Sequence, residues 1–217
     1  MDDHRRRRLA EARLYLVSDA RPASFLNAAL AGGVDIVQLR DKRLDDEALV
    51  VAARHFREAC DAHDALFVLN DRPDLVAACE ADGVHVGQND VPVPEARALV
   101  GEDRLVGLST HSSAQIDAAG GVDYVALGPV HETPTKPGRP ATGLDPIRHA
   151  AAHARVPWFA IGGLDVPTIT EAIGAGARRA VVVRAIGEAE DPEAAARALR
   201  TALDAHPLEA EARVGAT

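Results

Sequence analysis

Gln38, Arg40 and Lys42 occupy every second position at the end of Val34-Asp-Ile-Val-Gln-Leu-Arg-Asp-Lys42, a stretch that opens apolar and ends polar. On a β-strand, side chains two apart share a face, so these three lie together while Val37 and Leu39 take the other side. Two cations and an amide do not belong in an apolar core, and if that face is interior it needs an anionic partner. The same alternation also describes an edge strand with a solvated charged face. The strand alone leaves both readings open.

Two carboxylates invite a second chemistry. Asp71 and Asp90 each follow an apolar run and precede x-Pro, in Asp71-Arg72-Pro73 and Asp90-Val91-Pro92. A pair of aspartates on adjacent strand ends suits Mg2+, which takes hard oxygen ligands and is often held by one or two carboxylates plus substrate phosphates. Both are equally readable as helix N-caps, and Asp165-Val166-Pro167 repeats the spacing. Pro129 to Gly143 is a long, proline-rich connection in which Thr133, Thr135, Lys136 and Arg139 offer hydroxyl and cationic donors to phosphate oxygens. It is either a lid or a linker. The glycines of Ile161-Gly162-Gly163 would let backbone N–H groups approach a phosphate, or serve turn geometry alone. Arg184 could support a phosphate or pair with a nearby acid. His85 and His111 sit where either could hydrogen-bond a substrate, shuttle a proton or hold structure.

These residues need a scaffold that gathers them. Strand-like runs recur at Leu14 to Val17, Val34 to Leu39, Ala65 to Leu69, Gly83 to Val86, Leu105 to Leu108, Tyr124 to Leu127, Trp158 to Ile161 and Ala180 to Val183. Segments with helical spacing lie between them, including Asp46 to Ala59, Leu75 to Glu80, Ser113 to Ala119, Ile147 to Ala154 and Thr168 to Gly174. Eight β/α units in a chain this long predict a single (β/α)8 barrel of the TIM type rather than a doubly wound sheet, and no G-x-G-x-x-G turn follows the first strand. Active residues of such barrels lie at the C-terminal strand ends. Those ends carry Ser18-Asp19, Gln38 to Lys42, Asn70-Asp71, His85 to Asp90, Ser109 to His111, Gly162-Gly163 and Arg184, which weakens the solvated-edge reading of the second strand.

Composition bounds the rest. A chain of 217 residues, 47% hydrophobic and 26% charged, predicts one globular domain spanning residues 1–217, with frayed termini at 1–8 and 206–217. The net charge of -9 argues against nucleic acid or an anionic membrane as partner. No apolar run reaches membrane-spanning length, and the basic run Arg5 to Arg8, which reads as a solvated helix or a frayed terminus, lacks the apolar segment of a signal peptide, so a cytoplasmic protein is expected. Cys60 and Cys79 have no metal-ligand spacing and read as small packing residues. The sequence allows a homo-oligomer.

Taken together, Val37-Gln38-Leu39-Arg40-Asp41-Lys42, Asn70-Asp71, the run Asp82 to Asp90, the Gly-Pro-x-x-x-Thr-x-Thr-Lys pattern of Gly128 to Lys136, and Ile161-Gly162-Gly163 resemble the thiamine phosphate synthase family. The likeness runs in order from about Leu14 to Leu203. It implies a (β/α)8 barrel that joins 4-amino-5-hydroxymethyl-2-methylpyrimidine diphosphate to 4-methyl-5-(2-hydroxyethyl)thiazole phosphate and releases pyrophosphate. By motif, it implies that Gln38, Arg40, Lys42, Asn70 and Lys136 bind the pyrimidine diphosphate, with Ser109 near it and Asp71 and Asp90 on Mg2+. Thr133, Thr135, Gly163, Val183 and Arg184 would surround the thiazole phosphate, the last two mainly through backbone amides. Arg40, Lys42, Ser109 and Lys136 are then the residues expected to act in the chemistry. The rival readings are a thiazole tautomerase of the sister family, with His111 in the position of its strand-five histidine, and a non-catalytic barrel that binds a phosphate ester.

Overall fold

The computed structural model describes residues 3–133 and 140–208. Among them, eight parallel strands close into a barrel in sequence order: β1 (Leu14–Ser18), β2 (Ile36–Leu39), β3 (Leu66–Asn70), β4 (Gly83–Val86), β5 (Leu105–Thr110), β6 (Tyr124–Leu127), β7 (Trp158–Ile161) and β8 (Ala180–Val182). β8 pairs back onto β1 through Tyr15 and Val181. Alternation along each strand separates two cores. Leu14, Leu16, Val37, Leu39, Leu69 and Val84 face outward into a helix-covered layer, whereas Tyr15, Ile36, Leu66, Val68, Leu105, Tyr124 and Phe159 fill the barrel interior. Tyr15, Tyr124 and Phe159 meet edge to face, with ring centroids 5.6–6.0 Å apart.

The outer layer follows from helical spacing. In α3 (Asp46–Ala62), Leu49, Ala53, Phe56 and Cys60 recur every three or four residues and are buried, and Asp45 caps the helix by accepting the Ala48 N–H at 2.9 Å. α9 (Pro192–Asp204) buries Ala196, Leu199 and Leu203 behind an Asp191 cap. It packs on α2 (Ala23–Ala31) so closely that a Cβ on Gly32 would meet the Glu193 carbonyl oxygen at 2.4 Å. Both cysteines are buried and free. Among the described residues, no helix is long and apolar enough to cross a membrane.

Two expectations are corrected. The basic run was expected to be a solvated helix or a frayed terminus; among the described residues Asp3–Glu11 forms helix α1, and two of its arginines are tied to the barrel rather than left to solvent. Leu9 and Ala12 pack into the barrel interior from below, Arg5 pairs with Asp82 at 2.8 Å, and Arg6 pairs with Asp123 at 3.1 Å. The basic run is therefore the clamp of an N-terminal plug, because the acids it needs lie in the loops that precede β4 and β6. Leu75 to Glu80 is not an α-helix: a 3-10 turn over Pro73–Leu75 leads into further turns. Glu80, at φ 53°, reverses the chain, and the Ala81 N–H closes the turn on the Val76 carbonyl. Residues 209–217 lie outside the described part of the expected C-terminal tail.

Candidate active site

The C-terminal mouth of the barrel holds two adjoining cavities. The larger, of about 500 Å³, is lined by Gln38 and Arg40 from β2 and its exit, Asn70 from β3, His85 from β4 and Ser109 from β5. The smaller, of about 290 Å³, is lined by Ser109, His111, Thr133, Gly163, Val183 and Arg184. They share a wall at Ser109, Ala126, Ile161 and Val183. Register explains the larger group. Gln38 pairs with Val68, Asn70 with His85, and Ser109 with Ala126, so inward-facing positions of neighbouring strands stack toward the same mouth.

Arg40 and Asn70 are half-buried, and among the described residues neither side chain makes a hydrogen bond or ion pair. An unpaired guanidinium and amide facing one cavity have the chemistry to receive an oxygen-rich anion. Gln38 is buried and donates through Nε2 to the Tyr15 hydroxyl. Lys42 is exposed and pairs with Asp71 at 3.2 Å, just beyond the lining residues Arg40 and Asn70.

The three Asp-x-Pro aspartates separate cleanly. Asp165 is a cap: its carboxylate accepts the Thr168 N–H at 2.9 Å, and the Thr168 hydroxyl accepts the Asp165 N–H at 2.9 Å, a reciprocal capping box at the start of α7 (Val166–Gly174). Asp71 caps nothing. No side-chain cap bond opens the Pro73–Leu75 turn, and Asp71 is held at φ 60° by its N–H bond to the His85 carbonyl. Asp90 also leaves its helix uncapped, since α4 (Val93–Val100) starts from Pro92, and its Oδ2 accepts the Gly87 N–H at 2.9 Å. Each of these two carboxylates keeps one oxygen free of protein donors among the described residues. No cluster of three or more His, Cys, Asp or Glu suited to a metal occurs among the described residues. Neither aspartate lines either cavity, although Asp71 directly follows the lining residue Asn70; free carboxylate oxygens of this kind suit Mg2+, which keeps waters and completes its shell with phosphate oxygens.

On the smaller cavity, Gly162 and Gly163 have φ of 104° and 64°. A Cβ on Gly163 would lie 2.7 Å from the His131 Cβ, so only glycine brings this backbone under the loop. The Gly163 N–H donates to no described residue. His111 is tied through Nδ1 to the Gly128 carbonyl and through its backbone N–H to Gln115 at 2.7 Å. Val183 follows β8 and occupies the N-cap position of the short helix α8 (Arg184–Gly187), where Arg184 is exposed and lies 3.9 Å from Glu188. Thr135 and Lys136 fall outside the described residues.

The family model for thiamine monophosphate synthase matches residues 14–186. The chain belongs to that family. Thiamine-phosphate synthase of Thermobifida fusca is 56% identical over 212 residues, covering 94% of this chain and 97% of the relative. That of Streptomyces avermitilis is 54% identical over 205 residues, covering 90% and 95%. The solved thiamine phosphate pyrophosphorylase of Pyrococcus furiosus superposes with a TM-score of 0.82 at 28% identity, covering 92% of this chain and 98% of the other. As a thiamine monophosphate synthase, the chain is a transferase of thiamine biosynthesis on a (β/α)8 barrel.

Next to Asp19, which lines the larger cavity of this thiamine monophosphate synthase, a cluster of ion pairs ties two strand exits together. Asp41 has its side chain only 2% exposed and accepts from Arg43, which also reaches Asp19 at 3.1 Å, joining the exits of β1 and β2. The Arg43 hydrogen bond holds the Asp41 carboxyl down at about 2, below the ordinary 3.8. A carboxyl lowered by folding adds stability above its unfolded value, and that stability fades as pH falls toward about 2. In urea titrations, Asp41→Asn should therefore be less stable than wild type by a constant amount above about pH 5, with the gap narrowing below about pH 4. A gap that does not change with pH would show that the charge is not what joins these loops.

Proposed function

We propose that the two cavities receive the two substrates of thiamine phosphate formation. The pyrimidine diphosphate takes the larger and the thiazole phosphate the smaller, and they meet across the wall at Ser109. The observation that carries this reading is the adjacency itself: a condensation needs two sites with a common boundary, and among the described residues only the larger cavity holds an unpaired guanidinium, that of Arg40. Arg40 and Asn70 bind diphosphate oxygens, Lys42 adds charge at the rim, and Gln38 and Ser109 orient the pyrimidine. The Gly163 N–H, Thr133 and the backbone at Val183 and Arg184 hold the thiazole phosphate. The resemblance adds Thr135 to this second group and Lys136 to the first.

In the reaction, the bond from the pyrimidine methylene carbon to the diphosphate oxygen breaks, and its electron pair leaves with pyrophosphate. The aminopyrimidine stabilises the resulting cation, and the thiazole nitrogen lone pair forms the new C–N bond. No protein nucleophile is needed. Arg40 and Lys42 stabilise charge that grows on the leaving group, and the enclosed mouth keeps water from the cation. Asp71 and Asp90 would hold Mg2+, which when bound supplies further positive charge to the diphosphate.

The deciding assay supplies both substrates to the purified protein, with Mg2+ or with a chelator, and follows pyrophosphate and thiamine phosphate. Equal amounts of both products, dependent on metal, are expected. No product in the presence of Mg2+ would overturn the assignment. Turnover of a thiazole isomer alone would support the tautomerase reading that His111, as a lining residue of the smaller cavity, keeps in view.

A further inference from the structure

A line of polar groups crosses the barrel interior at the floor of the larger cavity, which Gln38, Tyr15, His85 and Ser109 line. Gln38 Nε2 donates to the Tyr15 hydroxyl, Tyr15 meets the Tyr124 hydroxyl at 3.0 Å, Tyr124 meets His85 Nδ1 at 3.2 Å, and His85 Nε2 meets Ser109 Oγ at 3.0 Å. Both tyrosines are fully buried, and burial pushes both phenols up, so each keeps a hydrogen that must find an acceptor. Room for the line is built in. Gly107, between His85 and Tyr124 in the sheet, could not carry a Cβ without placing it 2.2 Å from Tyr124 Cζ and 2.6 Å from His85 Nδ1.

The direction of the hydrogens follows from one end. Gln38 Nε2 can only donate, so it occupies an acceptor site of Tyr15. Tyr15 has no described partner other than Gln38 and Tyr124, and its own hydrogen must go to Tyr124 or stay unpaired in the interior. Tyr124 is then left with His85 Nδ1 as acceptor, which puts the imidazole hydrogen on Nε2 and aims it at Ser109 Oγ. The Ser109 hydrogen is thereby freed for the cavity. At the opposite end, Gln38 Oε1 has no donor among the described residues and serves as an acceptor.

The geometry points to Tyr15 and Tyr124 as positioning residues that fix the donor and acceptor pattern of the larger cavity, with an acceptor at Gln38 and a donor at Ser109. Building on the proposed function, this pattern selects an aminopyrimidine, which offers N–H donors and ring-nitrogen acceptors. It disfavours the oxo analogue, whose exocyclic oxygen replaces the donor. Tyr124 lines neither cavity and acts through His85 and Ser109, whereas Tyr15, which also lines the floor of the larger cavity, acts through Gln38 and Tyr124.

Two measurements test this. In ligand-free protein labelled with 15N-histidine, recorded above neutral pH and assigned by loss of the signal in His85→Gln, His85 should carry its hydrogen on Nε2 with Nδ1 bare. A hydrogen on Nδ1, or on both nitrogens, overturns the proposal without bearing on the proposed function. Tyr124→Phe keeps the ring and removes the hydroxyl. The ratio of inhibition constants for oxo- and aminopyrimidine diphosphate analogues should fall by about tenfold, the worth of one hydrogen bond, while KM for thiazole phosphate holds. Equal weakening of both analogues, or an unchanged ratio, overturns it. If Tyr124→Phe fails to fold, Tyr15→Phe/Tyr124→Phe removes both stranded hydroxyls and should show the same lost ratio.

Discussion

Arg40→Met should fold to a protein at least as stable as the parent while losing about 100- to 1000-fold in kcat/KM for the pyrimidine diphosphate. The two halves of that result come from one fact: the guanidinium has no partner among the described residues and faces the larger cavity. A half-buried charge with no counter-ion costs desolvation in the free protein, and methionine of similar length removes that cost. In the complex the same group would make paired, charge-assisted bonds to phosphate oxygens, which strengthen as charge moves onto the leaving group. Arg40→Lys should recover only part of the activity, because a point charge does not reproduce the planar fork. Urea unfolding and steady-state kinetics on the same preparations check both halves. A variant that loses stability and activity together would mean that Arg40 holds the β2 exit rather than a substrate.

The legibility of Arg40 contrasts with that of the tyrosines. Alternation along one strand brings Gln38 and Arg40 together, and that information is local, so the sequence alone predicts a shared polar face. The repeated β/α pattern placed this face at the barrel mouth. Tyr15 and Tyr124 read as ordinary apolar strand residues, since their hydroxyl contact depends on closing the barrel across chain segments 109 residues apart. Gly107 carried no turn signal, and its purpose is visible only with the neighbouring side chains in place. The basic run of α1 was misread for a related reason. Four consecutive arginines look solvated until the loops before β4 and β6 bring Asp82 and Asp123 to them.

Asp71, Asp90 and Asp165 show where sequence reading stops, and they also supply the sharpest experiment. All three share Asp-x-Pro, and a cap and a metal ligand require the same residue in the same place. The structure distinguishes them by what their oxygens accept: Asp165 is committed to the α7 cap, whereas among the described residues the Asp71 carboxylate meets only Lys42. Asp71→Asn should leave stability within about 1 kcal/mol of the parent, because Lys42 is exposed and such pairs contribute little. Asparagine also tolerates the left-handed backbone at φ 60°. Yet kcat should fall by about 100-fold or more, and the Mg2+ concentration for half-maximal rate should rise, since a neutral amide is a weak ligand for a hard cation. Asp165→Ala should show the converse, losing about 0.5–2 kcal/mol with its cap and far less activity. Measuring unfolding and Mg2+ dependence for both variants separates the two roles. If Asp71→Asn retained the parental kcat and Mg2+ requirement, the metal assignment at this strand end would fail, and the aspartate would be left as the partner of Lys42 alone.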